Sequence, residues 1–118
     1  MIIGVGVDLV DLERFEKAIS GTPALVERLF AESEREASTR TLAGRFAAKE
    51  AIAKALGTGI GHGVSFQDMQ ISNDEKGAPQ VHLSGGAAAV MHSRGGRRVL
   101  LSLADERDYA VAYAILSE

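Results

Sequence analysis

The sequence predicts an α+β domain with a mostly antiparallel sheet and one long packed helix. Three observations carry this. Helical periodicity fills the first half of the 118 residues, and short alternating strands separated by polar turns fill the second. Between Thr39 and Leu56 nothing breaks a helix except a tolerable Gly44, and the alanines there suit close packing on several sides. The strand-like stretches come in hairpin pairs rather than alternating with helices, which fits an antiparallel sheet better than a doubly wound one.

Taken in order, Ile2 to Val10 is an apolar, β-branched run broken by Gly4 and Gly6, the pattern of a buried strand approached closely by another element. Asp11 is placed to cap a helix from Leu12 to Ile19, with Leu12, Phe15 and Ile19 on one face and Ser20-Gly21 as its stop. Thr22-Pro23 reads as the N-cap and first residue of a second helix bearing Leu25, Leu29 and Phe30. Ser33 to Glu36 has capping-box spacing and predicts a further short helix. The long helix then runs from Thr39–Thr41 to Leu56, and Gly57 supplies its left-handed end. Beyond it, Ser65 to Ser72 and Gln80 to Leu83 predict a hairpin around Asn73 to Gly77. Ser84 is positioned to cap a helix through Met91, and Arg97 to Leu103 and Tyr109 to Leu116 predict a second hairpin around Asp105 to Asp108.

This length fits a single domain spanning residues 1-118. Thirteen basic against sixteen acidic residues leave a net charge of -3, which disfavours a surface built wholly for nucleic acid or anionic membrane. The absence of cysteine excludes disulfide and thiolate chemistry. The start has no basic n-region and no apolar run reaches bilayer length, so a cytoplasmic protein without a membrane partner is expected.

Two features could carry chemistry. The run Gly57-Thr58-Gly59-Ile60-Gly61 invites a phosphate-loop reading, but such glycines precede a helix, whereas these follow one and face its carbonyl end. A C-cap and flexible loop is the better reading. On the long helix, Glu50 and Lys54 share a face with Phe46, while Arg45 and Lys49 form the neighbouring row. A solvated Glu-Lys pair is the ordinary alternative; against it, a charge on a helix packed all round needs a partner or a metal. Asp8 interrupts an apolar strand, and with Glu50 it could share Mg2+, which needs only one or two carboxylates when phosphates and water complete its octahedron.

The segments "IIGVGVDLVDLERF", "LAGRFAAKEAIAKALGTGIG" and "SFQDMQI", in this order, resemble the small bacterial holo-acyl-carrier-protein synthases of the 4'-phosphopantetheinyl transferase family. The resemblance covers most of the first 71 residues and implies that family's fold. It implies transfer of the phosphopantetheine arm of coenzyme A to a serine of apo acyl carrier protein, with release of adenosine 3',5'-bisphosphate. By the same resemblance Asp8 and Glu50 hold Mg2+, and Glu50 is the route for the serine proton. Lys54 lies near the phosphates, Arg45 contacts the nucleotide, Gly57 and Thr58 border the cofactor, and Arg14 meets the acidic carrier protein. A homotrimer with coenzyme A at its interfaces is also implied.

Departures from the family pattern leave rivals open. Asp105 stands where members often carry histidine, and an acid beside phosphate repels it unless turned away or bound to a metal or base. The first helix mixes Glu13 and Glu16 with Arg14 and Lys17, so carrier docking could also rely on Arg28. A Mg2+-dependent hydrolase using Asp8 and Glu50, or a carrier-binding module without turnover, is the alternative. His62, His82 and His92 lack metal-ligand spacing, and the single RGGRR at Arg94 to Arg98 reads as a loop with a basic tip rather than a nucleic-acid motif.

Overall fold

A computed structural model describes all residues, 1–118. The N-terminal run forms strand β1 (Ile2–Asp11), followed by helices α1 (Leu12–Gly21) and α2 (Ala24–Leu29) and the long α3 (Thr39–Leu56). The second half forms β2 (Met69–Asn73), β3 (Pro79–Leu83), α4 (Gly85–Ser93), β4 (Arg98–Glu106) and β5 (Tyr109–Ser117). All strand pairs are antiparallel. They form a three-stranded sheet of order β1-β5-β4 and a separate β2-β3 ribbon.

Helix α3 crosses one face of the larger sheet, and the reason lies in the small residues on both sides. A Cβ on Gly4 or Gly6 would overlap the carbonyl oxygens of Ala55 and Ala51, so glycine at these positions lets strand and helix backbones touch. Ala110, Ala112 and Ala114 of β5 and Ala47, Ala48, Ala51 and Ala55 of α3 complete this thin interface, all buried. Ser38 caps α3 by accepting from the Thr41 N–H, and Gly57 closes it with φ 85°. The expected left-handed end is therefore present.

Three local expectations are corrected. The short helix expected from Ser33 is a single 3-10 turn, Glu32–Glu34, and the acid that folds back is Glu34, accepting from the Ala31 N–H at 2.8 Å. Strand β2 begins only at Met69, because Phe66–Asp68 forms a 3-10 turn. The Ser84 side chain does not cap α4; Asp68 does, accepting from Ala87 N–H at 3.2 Å as well as from Ser65 N–H at 3.1 Å. Glu34 and Asp68 each fold back three residues onto the N–H at the start of their own turns, and Asp68 also reaches a helical N–H 19 residues away. The second hairpin also turns later than expected, at Arg107-Asp108, with φ 46° at Arg107. No helix is long and apolar enough to cross a membrane.

Candidate active site

Strand β1 ends where α1 begins, and the alternation of the strand decides what faces inward there. Val7 and Leu9 point to the outer face of the sheet, so Asp8 between them points to the helix side, where it meets α3. Asp11 accepts from the Arg14 N–H at 3.0 Å and caps α1 as expected. On α3, Phe46, Glu50 and Lys54 follow one another at single-turn spacing.

These elements enclose a cleft of about 700 Å³ bounded by the end of β1, by α1, α2 and α3, and by Phe66. Asp8, Glu50 and Lys54 lie in it together, and Arg14 and Arg28 are its other charged cations. Phe15, Phe46 and Phe66 form a run of tilted rings along it, with centroids 5.6 Å and 5.7 Å apart. An anionic, a cationic and an aromatic region thus share one concavity.

The charges at the β1 end are coupled. Lys54 Nζ donates to the Val7 carbonyl at 2.9 Å and meets Asp8 Oδ1 at 3.3 Å. Burial pushes the Glu50 carboxyl above its ordinary range, repulsion from Asp8 adds to the shift, and Lys54 opposes it. Two carboxylates held so that one resists ionisation mark a spot where additional positive charge would be stabilised. Their oxygen donors suit Mg2+, which rarely takes an all-protein cage. No group of three or more His, Cys, Asp or Glu side chains is assembled anywhere, so the remaining ligands of such an ion would be phosphates and water. The residues fit the ion on those terms.

Other expected site residues lie elsewhere on the chain. Arg45 donates to the Glu34 carbonyl at 3.2 Å and lines a second cleft with Arg40, Thr41, Gly44, Asn73 and Asp105. Asp105 is neutralised there: Arg40 Nη1 lies 3.3 Å from its carboxylate. Asp105 is therefore turned to a cation of its own chain. Gly57 and Thr58 close the end of α3, with the Thr58 and Gly59 N–H groups both donating to the Ala53 carbonyl. Arg94, from the RGGRR segment, donates to the Ala55 and Ile3 carbonyls at 2.9 Å and 3.2 Å, tying the same helix end to β1. The C-cap reading of Gly57 holds, whereas the basic tip expected of RGGRR is corrected: Arg94 ends α4 with its guanidinium turned onto backbone carbonyls, and Arg98 begins β4.

Sequence reasoning missed one group. Lys49 is completely buried and forms an ion pair at 2.7 Å with Glu34, itself 1% exposed. Lys49 also donates to the carbonyls of Leu29 at 2.8 Å and Phe66 at 3.3 Å, and its ammonium lies 5.1 Å from the centre of the Phe30 ring. Burial lowers its pKa, and the hydrogen bond and charge of Glu34 oppose that. The available signal was the packed character of α3, which required a partner for any charge on it.

Comparison with known proteins gives one consistent result. The family model described as the 4'-phosphopantetheinyl transferase superfamily matches residues 4–114. The holo-[acyl-carrier-protein] synthase of Vibrio vulnificus (strain CMCP6) is 50% identical over 121 residues, covering 97% of this chain and 96% of the relative. Among solved structures, the holo-[acyl-carrier-protein] synthase of Neisseria meningitidis superposes with a TM-score of 0.92 at 34% identity, covering all of both chains. The Helicobacter pylori holo-[acyl-carrier-protein] synthase in complex with coenzyme A superposes with a TM-score of 0.86 at 32% identity, covering 96% of this chain and 99% of that one.

Proposed function

Because the chain belongs to the 4'-phosphopantetheinyl transferase superfamily, we propose that it moves the phosphopantetheine arm of coenzyme A onto a serine of apo acyl carrier protein. The observation that carries the reading is the convergence of Asp8, Glu50 and Lys54 in a cleft whose remaining charged cations are Arg14 and Arg28.

Asp8 and Glu50 would hold Mg2+, which when bound neutralises charge on a pyrophosphate and orients its phosphorus. Lys54, half exposed and one turn beyond Glu50, is placed to meet phosphate oxygens. In this reading Glu50, whose side chain lines the cleft, also takes the serine proton. The serine oxygen forms the new bond to phosphorus, the pyrophosphate P–O bond breaks, and adenosine 3',5'-bisphosphate leaves with the electron pair. Arg14 and Arg28, which line the same cleft, receive the acidic carrier.

The assembly is a homotrimer in this reading, acting in the cytoplasm. Support comes from the outer face of the large sheet, where Val5, Val7 and Leu9 are 51%, 52% and 62% exposed beside Leu100, Tyr109 and Tyr113. An apolar face of that kind on a small chain fits a self-association surface. Coenzyme A lying between copies would also account for Arg45 facing a different cleft from Glu50. The nucleotide end would meet Arg45 of one copy while the pyrophosphate meets Asp8, Glu50 and Lys54 of another, with Gly57 and Thr58 bordering it. Val7→Lys is expected to give monomers by sedimentation and to lose activity with the trimer; a trimer that survives the change would refute this role for the face.

Incubation with coenzyme A, Mg2+ and apo carrier protein tests the activity, read by intact mass. The carrier gains one phosphopantetheine arm if the reading holds. Consumption of coenzyme A without that gain indicates a hydrolase, and carrier binding without turnover a non-catalytic module. Arg14→Glu should raise the carrier KM about tenfold by setting acid against acid, and leave the coenzyme A KM near wild type. Equal effects on both constants would remove Arg14 from docking.

A further inference from the structure

Helix α2 presents Leu25, Arg28 and Leu29 to the cleft, yet little in the helix itself keeps it there. It is six residues long and none of them is buried. A helix that short is marginal in water, and its apolar anchor is thin: Leu25, Val26 and Leu29 are only partly buried, and Phe30 just beyond its end is the first fully buried residue.

Its end is instead gripped by side-chain donors. The Gln67 amide Nε2 donates to the carbonyls of Glu27 at 2.6 Å and Phe30 at 2.9 Å, with the Arg28 carbonyl at 3.4 Å. Lys49 Nζ takes the Leu29 carbonyl at 2.8 Å and, through the Phe66 carbonyl at 3.3 Å, the turn that carries Gln67. Arg35 Nε donates to the Phe30 carbonyl at 3.2 Å. The carbonyls of Glu27, Leu29 and Phe30 are therefore held by side chains from outside the helix, and that of Arg28 lies beside the same amide. Such carbonyls are the orphans of any helix end, and one lysine and one amide here satisfy most of them.

Glu34 fixes the lysine in turn. Its Oε1 accepts from Lys49 at 2.7 Å and from the Ala31 N–H at 2.8 Å, and its Oε2 accepts from the Ile71 N–H at 3.2 Å. The clamp is thus anchored on α3, one residue before Glu50, and on strand β2. None of Gln67, Lys49 and Glu34 lines the cleft itself.

We propose that Gln67 and Lys49 are positioning residues that hold the carbonyl end of α2 and so set where Arg28 and Leu29 stand against an incoming carrier protein. The role rests on the transferase reading above. It places a specificity element in the wall of the cleft, separate from the Asp8, Glu50 and Lys54 group.

Gln67 is exposed, so its replacement leaves the core intact. In the full chain, Gln67→Met removes the donor at nearly constant volume. It is expected to raise the KM for apo carrier protein about fivefold, leaving kcat and the coenzyme A KM within about twofold. Gln67→Lys restores a donor and should recover most of the carrier KM. Hydrogen exchange supplies a readout independent of turnover: α2 amides should exchange about tenfold faster in Gln67→Met while α3 amides are unchanged. The double variant Lys49→Met/Glu34→Met should show the same split; if it does not fold, the Gln67 pair decides alone. A wild-type carrier KM in Gln67→Met, or equal rises for both substrates, overturns the proposal. If wild type transfers nothing to the carrier, the transferase reading fails instead, and unchanged α2 exchange would then overturn the clamp as well.

Discussion

Glu50→Gln is expected to lower phosphopantetheine transfer by about a thousandfold or more, the scale of losing a base or a metal ligand at the reacting centre, while the protein becomes no less stable. Glutamine keeps the shape of the side chain between Phe46 and Lys54 and removes only its charge. That charge is costly where it sits, because burial and Asp8 both push the carboxyl toward its neutral form. The sign of the stability effect follows. A carboxyl whose pKa is raised on folding binds more protons in the folded state, so wild-type stability falls as pH rises from the ordinary glutamate value through the raised one. The glutamine variant lacks this fall, and its melting temperature should match or exceed wild type at neutral pH. Intact-mass kinetics and thermal melts at pH 4 and pH 7 measure both halves. Calorimetry adds a third: the Mg2+ dependence of coenzyme A binding should weaken in the variant. Transfer within tenfold of wild type would remove Glu50 from the chemistry. A melting temperature well below wild type would show that its charge supports the fold.

The residues of this centre were legible because each breaks a local rule. Asp8 interrupts a β-branched strand, and Glu50 and Lys54 put charge on an alanine-rich helix packed on several sides. The glycines of β1 announced a close approach, and the structure supplies the approaching element as α3 itself. What stayed hidden was long-range. Glu34 sits in a polar run that reads as an exposed capping box, yet its carboxylate is turned inward to a lysine 15 residues away and an amide 37 residues away. Asp68 reads as part of a strand and instead caps α4. Side-chain periodicity reports which face of an element is apolar. It is silent on which distant backbone group a buried carboxylate will satisfy, and the 30–36 and 65–68 segments are shaped by such contacts. Arg45 illustrates the complementary case. Its row on α3 was readable from spacing, but Arg45 turns to another cleft than Glu50 does and Lys49 turns into the core.

Lys49→Met should be the most destabilising single change in the chain apart from glycine and proline substitutions, at about 3–5 kcal/mol, because it leaves the Glu34 carboxylate buried without its cation. On a chain of this size that corresponds to a fall in melting temperature on the order of 10–20 °C. Methionine fills nearly the same space, so the loss is electrostatic rather than a cavity. Glu34→Gln should cost less, since its remaining oxygen can still accept from Lys49 and Ala31, although its amide then faces the Ile71 N–H. The decisive comparison is the double variant Lys49→Met/Glu34→Met. Removing both charges spares the fold the burial of either one, so the double change should be markedly more stable than Lys49→Met alone despite altering one more buried residue. Urea midpoints for wild type, Lys49→Met, Glu34→Met and the double variant give the coupling. A strongly favourable coupling together with a double variant about as stable as wild type identifies a pair kept for the geometry it imposes on Leu29, Phe66 and Ile71 rather than for net stability. Additive losses would mean that Lys49 and Glu34 act independently, and that the 2.7 Å contact contributes nothing beyond their separate hydrogen bonds.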